Sequence, residues 1–151
     1  MSRIAPIAIT LAATFAAGPA LAETVHRMSP HAVSDTVDRL ERAITEAGAT
    51  VFARVNHAEG ASSAGMELPP SELLIFGNPQ LGTLPQQADI RAGLALPMKV
   101  LTYQAGDGST HMIYETPETL FEGLDVPGDA EYLAKMSGAL EKFTTAATAE
   151  E

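Results

Sequence analysis

The chain contains no cysteine and no tryptophan, and it has only 9 lysine and arginine residues against 19 aspartate and glutamate residues. Without cysteine there can be no disulfide, no thiolate-bound zinc or iron–sulfur cluster, and no cysteine nucleophile. The formal net charge of −10 argues against nucleic-acid binding, which requires a basic surface to neutralise phosphate. The 151 residues allow one domain with its own hydrophobic core. Whole classes of function are thereby excluded, but no reaction is identified.

The longest apolar stretch lies at the N-terminus. Arg3 is the only charged side chain in the first 22 residues, and residues 4–17 are almost wholly apolar. Ala20-Leu21-Ala22 has the small-x-small pattern of a cleavage site. The apolar stretch is shorter than the ~20 residues that span a bilayer. We therefore interpret residues 1–22 as a secretory signal peptide. Residues 23–151 then form one domain, periplasmic or secreted, with no membrane span after cleavage.

Hydrophobic periodicity predicts the order β-α-β-β-α-β-β-α in this domain. Apolar residues recur every three or four positions in residues 35–47 and 129–147, which predicts two amphipathic helices. Short β-branched or apolar runs predict five strands, at residues 24–28, 50–55, 73–76, 98–103 and 110–115. Hairpins mixed with crossovers are typical of an α+β fold with a largely antiparallel sheet covered by helices on one face.

Local residue patterns predict where the helices and loops begin. Ser34 and Asp129 are good N-cap residues for the two long helices. Thr83, with a glutamine three residues later, matches a capping box and predicts the start of a short helix. Residues 56–65 are small and polar, which predicts a loop. We expect the tail from Thr144 onward to fray.

The first candidate site is the segment from Gly77 through Asn78, Pro79 and Gly82 to Thr83. It joins a buried strand to a predicted helix start, where unpaired backbone N–H groups attract anions. It matches neither the phosphate-loop motif nor the dinucleotide-binding fingerprint. Asn-Pro and glycine are also ordinary turn residues, so the segment predicts either a ligand site or a stiff turn.

His57 and Lys99 are the candidate catalytic residues. His57 follows Asn56 at a strand end and could act as an acid or base near neutral pH. Lys99 lies in an apolar strand, where partial burial would favour an amine base or nucleophile. The alternatives are an exposed loop histidine and a lysine on the solvent face of the sheet. A small-molecule enzyme using both residues near Gly77-Asn78-Pro79 is thus an alternative to a binding module.

Histidine and methionine are the only soft metal ligands in a chain without cysteine. Imidazole and thioether groups bind copper, so a copper-binding protein is a further alternative. The successive residues His111 and Met112 would point to opposite faces of a strand, and core methionines with surface histidines explain the pattern equally. We predict neither a metal nor another cofactor. The set comprises His26, Met28, His57, Met66, Met98, His111 and Met112.

Three segments resemble domain-of-unknown-function family 302. They are LPPSELLIFGNPQLGT at residues 68–83, AGLALPMKVLTY at 92–103 and MIYETP at 112–117. Residues 36–61 are similar to the family's opening helix, strand and histidine-containing turn, so the resemblance covers about residues 25–124. It implies a compact α+β fold of the same element order, often dimeric, with no established activity.

The resemblance also draws attention to particular residues, Pro97, Lys99 and Tyr114 among them. The family often has an acidic residue before the histidine, where this chain has Asn56, which weakens a catalytic role for His57. We therefore predict a ligand-binding or interaction module that forms a homodimer. Its candidate ligand-binding residues are Asn56, His57, Gly77, Asn78, Pro79, Gly82, Thr83 and Tyr114.

Overall fold

The structure, a computed structural model, describes residues 24–150, so the predicted signal peptide at 1–22 lies outside the described residues. Each of the five predicted strands is present, with bounds within two residues of those expected. The strands are β1 (Thr24–Ser29), β2 (Thr50–Asn56), β3 (Ser71–Gly77), β4 (Met98–Gln104) and β5 (Thr110–Glu115). They form one sheet in the order β1-β5-β4-β3-β2, in which every neighbouring pair is antiparallel.

Two long helices cover one face of this sheet, as predicted for the α+β class. The helices are α1 (Val33–Glu46), α2 (His57–Ser63), α3 (Pro79–Ala88), α4 (Ala92–Ala95), α5 (Pro117–Leu120) and α6 (Glu131–Thr148). The long helices α1 and α6 pack against each other and against the sheet. Within residues 24–150, no helix is both long and apolar enough to cross a bilayer.

Alternation along the strands divides the sheet into a core face and an outer face. In β3, Leu74 and Phe76 are buried, whereas Leu73 and Ile75 are only half-buried. The buried residues face α1 and α6, and burying each large side chain contributes roughly 1.5–3 kcal/mol. The core lies between the helical layer and the sheet. It combines Val37, Leu40 and Ile44 of α1; Leu133, Met136, Leu140, Phe143 and Ala147 of α6; and Leu74, Phe76, Met98, Val100, Met112 and Tyr114 of the sheet.

The start of α1 differs from the prediction that Ser34 caps it. The helix begins at Val33, and the N-cap residue Ala32 makes no side-chain cap hydrogen bond. Val33 is buried and extends the apolar stripe of Val37 by one turn toward the N-terminus. Packing of this extra turn therefore decides the boundary, and the cap preference of Ser34 is overridden.

The last helix also departs from its predicted ends. Ala130, not Asp129, is the N-cap residue, and it makes no side-chain cap hydrogen bond. The helix continues to Thr148 where fraying from Thr144 was expected, because Thr144 and Ala147 are buried against the core. Tertiary packing thus orders a segment whose polar composition suggested a loose end.

The predicted loop at residues 56–65 is wrong, because most of it forms the short helix α2. Asn56 is its N-cap residue, and its Oδ1 accepts a hydrogen bond from the backbone N–H of Glu59 at 2.9 Å. This bond satisfies one of the donors left free at a helix N-terminus. The residues of α2 are mostly small, so they form no apolar stripe at helical spacing. The sequence pattern therefore gave no sign of this helix.

A network of charges joins the β2 edge of the sheet to α1. Arg54 of β2 donates through Nε to Glu72 Oε2 at 2.5 Å and through Nη1 to Asp38 Oδ1 at 2.5 Å. Its Nη1 also lies 3.6 Å from Glu41 Oε2. The Glu72 side chain is only 9% exposed, so its carboxylate is largely desolvated. Arg54 supplies the counter-charge that this carboxylate would otherwise lack.

Asp89 fixes the junction between α3 and α4. Its buried carboxylate accepts hydrogen bonds from the Arg91 guanidinium at 2.6 Å and from the backbone N–H of Asp125 at 3.1 Å. These bonds, with that of Arg91 the largest, hold the pKa of Asp89 well below its ordinary value. Asp89 thereby ties the α3–α4 connection to the loop that precedes α6.

This arrangement predicts a pH-dependent effect of the substitution Asp89→Asn. A carboxyl group whose pKa is lower in the folded chain stabilises the fold above its unfolded pKa of about 3.9. That stabilisation is lost as pH falls toward the folded pKa. We expect Asp89→Asn to lower the free energy of unfolding at pH 7 and the difference from wild type to shrink at pH 3. Urea unfolding at both pH values measures this, with the exposed Asp129→Asn as control. An equal deficit at both pH values contradicts the assignment.

Candidate functional site

A cavity of about 430 Å³ opens at one end of the sheet. The end of β3 meets the starts of β2 and β4 there, because Gly77 pairs with Thr50 and Phe76 pairs with Met98. The helices α3 and α6 supply further walls. Sites for small molecules commonly have volumes of about 300–1,000 Å³. We call this space the sheet-end cavity.

The walls of the sheet-end cavity are mostly apolar and include three of the five phenylalanines. Phe76 and Phe143 meet edge to face, with ring centroids 6.0 Å apart and an interplanar angle of 73°. Phe52 is 55% exposed at the bulge in β2, where the pairing register shifts between Val51 and Ala53. The other apolar lining residues are Ala47, Ala49, Pro79, Leu81, Leu96, Pro97, Met98, Met136 and Ala139.

Few polar side chains line the cavity, and none of them is acidic. They belong to Asn78, Thr83, Gln86 and Lys142. The Nε2 of Gln86 donates to the carbonyl of Gly82 at 2.9 Å. Lys142 makes no ion pair with any of the residues 24–150. The cavity is therefore an apolar space with one positive charge in its lining.

The segment Gly77-Asn78-Pro79 forms the junction between β3 and α3. The helix begins at Pro79, not at the predicted Thr83, because Asn78 caps it and accepts a hydrogen bond from Gln80 N at 2.9 Å. The N–H groups of Leu81 and Gly82 donate to the carbonyl of Asn78. These amides have partners within the protein, so the junction offers a cavity wall and not the row of free donors expected for an anion.

Comparison of sequences identifies the family. The profile described as "Domain of unknown function DUF302" matches residues 25–145. The chain belongs to this family. The match extends beyond the resemblance noted at residues 25–124 and takes in most of α6, so the last helix is part of the DUF302 pattern.

Two curated relatives of this DUF302 chain are proteins of Brucella. "Fluoride-specific ion channel FluC 1" of Brucella suis biovar 1 is 38% identical over 112 residues, which are 73% of this chain and 44% of the relative. The protein of the same name from Brucella abortus biovar 1 is also 38% identical over 112 residues, 42% of its length. The chain therefore spans less than half of the curated relatives it matches.

A solved structure confirms the fold of this DUF302 chain. The crystal structure of an uncharacterized conserved DUF302 protein from Bacillus stearothermophilus superposes with a TM-score of 0.65. The superposition covers 83% of this chain and 94% of the other at 21% sequence identity. Because identity is this low, the likeness concerns the fold alone.

The structure brings together five of the eight predicted ligand-binding residues of the DUF302 chain. Gly77, Asn78, Pro79, Gly82 and Thr83 all line the sheet-end cavity. A Cβ atom at Gly77 would lie 3.4 Å from the ring of Phe52 and 3.7 Å from Pro97. These are ordinary van der Waals distances, so Gly77 lies close to both side chains at the rim of the cavity.

Asn56 and His57 lie at the other end of the sheet. Asn56 pairs with Glu72, whereas Gly77 pairs with Thr50. Six residue steps along β2 separate these pairs, a distance of about 20 Å at ~3.3 Å per residue. His57 is exposed at the first position of α2, so it does not contribute to the sheet-end cavity.

Lys99 and Tyr114 also lie outside the cavity lining. Lys99 is on the outer face, and its Nζ donates to the carbonyls of Ala95 at 3.0 Å and Pro97 at 3.3 Å. Tyr114 is buried on the core face and lines a second cavity, of about 270 Å³, together with Arg27. The structure therefore does not place His57 and Lys99 within hydrogen-bond reach of each other.

The histidines and methionines considered for copper are spread over both faces of the sheet. His26, Met28 and His111 share the outer face, where Met28 pairs with His111. The Nε2 atoms of the two histidines are hydrogen-bonded to the hydroxyls of Thr24 and Ser109. Met98 and Met112 are buried on the core face. Among residues 24–150, no three acidic or histidine side chains are placed to hold a metal, and copper binding stays a hypothesis.

The contribution of α6 to the site is absent from the sequence predictions. Periodicity assigns Met136 and Phe143 to the core, but it does not show that Ala139 and Lys142 line a cavity beside them. One feature of the sequence could have indicated the cavity beside α6. Ala139 is a small residue on the apolar side of the helix, and a small residue in such a position leaves space against the facing wall.

Proposed function

We propose that this DUF302 chain is a binding module for a small, largely apolar molecule that occupies the sheet-end cavity. The observation that carries the proposal is a cavity of about 430 Å³ lined by three phenylalanines. Covering apolar surface contributes about 25 cal/mol per Å², so an apolar ligand gains free energy there. Apolar cavities also lower the stability of a fold, which makes a purely structural role a poor explanation for this one.

The lining residues favour binding over catalysis. They include no histidine, serine, tyrosine, aspartate or glutamate, and Lys142 is the only titratable side chain among them. General acid–base and nucleophilic catalysis both need such groups within hydrogen-bond reach of a substrate. Because His57 and Lys99 lie elsewhere, the enzyme alternative has no assembled set of groups, and we do not propose it.

The channel name of the Brucella relatives does not suggest the ligand of this cavity. A small inorganic anion such as fluoride keeps its charge only where donors replace its hydration shell. The apolar walls of the sheet-end cavity supply few such donors. The proposal therefore concerns an organic molecule, whatever the larger relatives transport.

Export and homodimer formation remain proposals, the first resting on the sequence and the second on an apolar patch of the sheet. The arrangement of Ala20-Leu21-Ala22 behind an apolar stretch supports secretion or a periplasmic location. Half-buried Leu73, Leu101 and Ile113 on the outer face support pairing with a second copy, since apolar sheet surface gains free energy when it is covered.

A neutral apolar fluorophore tests the proposed function. We expect N-phenyl-1-naphthylamine to bind the wild-type domain with a rise in fluorescence. The substitution Ala139→Phe should weaken binding by about 100-fold or more, because the added ring occupies the space of the ligand. Fluorescence titration measures both affinities.

A matched control places the same ring outside the cavity. Ala134 is exposed on α6 and is absent from the cavity lining, so Ala134→Phe should leave the affinity within about twofold of wild type. Circular dichroism establishes that both variants fold. Binding that is undetectable in wild type, or that is equally strong in Ala139→Phe, overturns the proposal.

A further inference from the structure

We propose that the ligand of the sheet-end cavity carries a single negative charge, a carboxylate, on its apolar body, and that Lys142 holds this charge at the cavity mouth. The inference rests on the proposed function and names the chemical class of its ligand. It follows from the charges that line the cavity and from the partners that those groups already have.

The distribution of charge around the cavity is one-sided. The chain has 19 acidic residues against 9 basic ones, yet no aspartate or glutamate lines the cavity, whereas Lys142 does. Lys142 is exposed on α6, so its attraction to an opposite charge is modest and is screened by solvent, but it still distinguishes a negative ligand group from a positive one. A negatively charged ligand group beside Lys142 is therefore favoured, and a positively charged one is disfavoured.

Lys142 is also free to take a partner. It lies on the exposed side of α6, next to Phe143, and makes no hydrogen bond or ion pair with the residues that the structure describes. Lys135, seven positions earlier on the same helix, instead pairs with Glu131 at 2.8 Å. The two lysines differ in surroundings while sharing a helix, and only Lys142 lines the cavity.

A second donor lines the same cavity. The Oδ1 of Asn78 accepts a hydrogen bond from Gln80 N at 2.9 Å, which leaves the side-chain NH₂ group of Asn78 as a donor without a partner among residues 24–150. Gln86, in contrast, already donates to Gly82. The NH₂ group of Asn78 and the ammonium group of Lys142 are thus two uncommitted donors in the lining, and a carboxylate is an acceptor-only group.

The apolar walls define the rest of the ligand. Phe76 and Phe143 form the deep part of the cavity and are nearly inaccessible, whereas Phe52 is more than half exposed at its edge. A molecule with its hydrocarbon part against the buried rings keeps its charged end at the solvated side, where Lys142 lies. An amphipathic monocarboxylate, with an aliphatic or an aromatic body, satisfies both requirements.

Decanoate and 1-decanol provide a matched pair of probes, because they share a hydrocarbon chain and differ in charge. Each is titrated against the domain saturated with N-phenyl-1-naphthylamine, in wild type, in Lys142→Met and in the control Lys135→Met. We expect the ratio of the decanol to the decanoate dissociation constant to fall about threefold in Lys142→Met, because an exposed ion pair contributes little, and to be unchanged in Lys135→Met. The difference in this ratio between wild type and Lys142→Met should shrink as ionic strength rises from about 0.01 to 1 M, because salt screens the attraction of Lys142 for the carboxylate.

The outcomes separate the inference from the function on which it rests. If neither probe displaces the fluorophore and the fluorophore itself does not bind, the proposed function fails. If both probes bind but the ratio is the same in wild type and Lys142→Met, the cavity binds apolar molecules and the carboxylate assignment is overturned. An equal fall in Lys135→Met also overturns it, because the effect would then reflect the charge of the helix as a whole.

Discussion

Replacing Phe143 with alanine is expected to lower the free energy of unfolding by about 3–5 kcal/mol. Phe143 is 5% exposed, belongs to the core between α6 and the sheet, and meets Phe76 edge to face. Its removal loses the free energy of burying the ring and leaves a void next to the existing cavity. We expect the surrounding side chains not to fill this void. Urea or guanidinium unfolding followed by circular dichroism measures the loss.

Phe52 supplies the matched control for this substitution. It lines the same cavity but is 55% exposed, so Phe52→Ala should cost only about 1 kcal/mol or less. The two variants thus separate the core from the cavity rim. Equal losses of stability would contradict the assignment of Phe143 to the core and of Phe52 to the edge of the site.

Replacing Arg54 with methionine should lower the free energy of unfolding by about 1–2 kcal/mol, because it leaves the largely buried carboxylate of Glu72 without its counter-charge while solvent reaches the site of the arginine. The carboxylate is that of Glu72, which accepts from Arg54 Nε at 2.5 Å. Part of the loss should be recovered in the double variant Arg54→Met with Glu72→Gln, in which no buried charge remains. Equilibrium unfolding of the single and double variants gives the coupling energy.

The control for Arg54→Met is Arg42→Met. Arg42 is exposed on α1, so its replacement should change stability by no more than about 0.5 kcal/mol. If Glu72→Gln does not relieve the effect of Arg54→Met, the loss comes from the packing of the arginine stem and not from the unpaired carboxylate.

The helices and strands could be predicted from the sequence wherever a single residue pattern determined where an element lies. Alternation and β-branched runs placed all five strands, and the apolar stripes placed α1 and α6. The boundaries failed where two rules competed. The burial of Val33 overrode the cap preference of Ser34, and Asn78 capped α3 one turn before Thr83 could. For α1, a cap contributes about 1 kcal/mol, whereas packing a large side chain contributes more; for α3, one cap residue simply precedes the other in the chain.

The candidate site was predictable only in its local part. Gly77, Asn78 and Pro79 stand out in the sequence because they are three successive residues of types that favour turns. The opposite wall comes from Met136, Ala139 and Phe143, almost sixty residues later, and its position depends on how α6 packs across the sheet. His57 looked like part of the same site, but the antiparallel pairing of β2 with β3 carries it to the far end.

If the proposed ligand binds, the composite origin of the sheet-end cavity would link its occupancy to the order of the last helix. The walls are contributed by the end of α1, by β2, β3 and β4, by α3 and by α6, so a bound molecule would contact the last helix and the sheet at the same time. Such a molecule acts as a non-covalent cross-link between the C-terminal helix and the sheet. At a concentration of 100 times its dissociation constant it would add about 2.7 kcal/mol to the free energy needed to detach that helix. The C-terminal helix would then be held least firmly whenever the ligand is scarce.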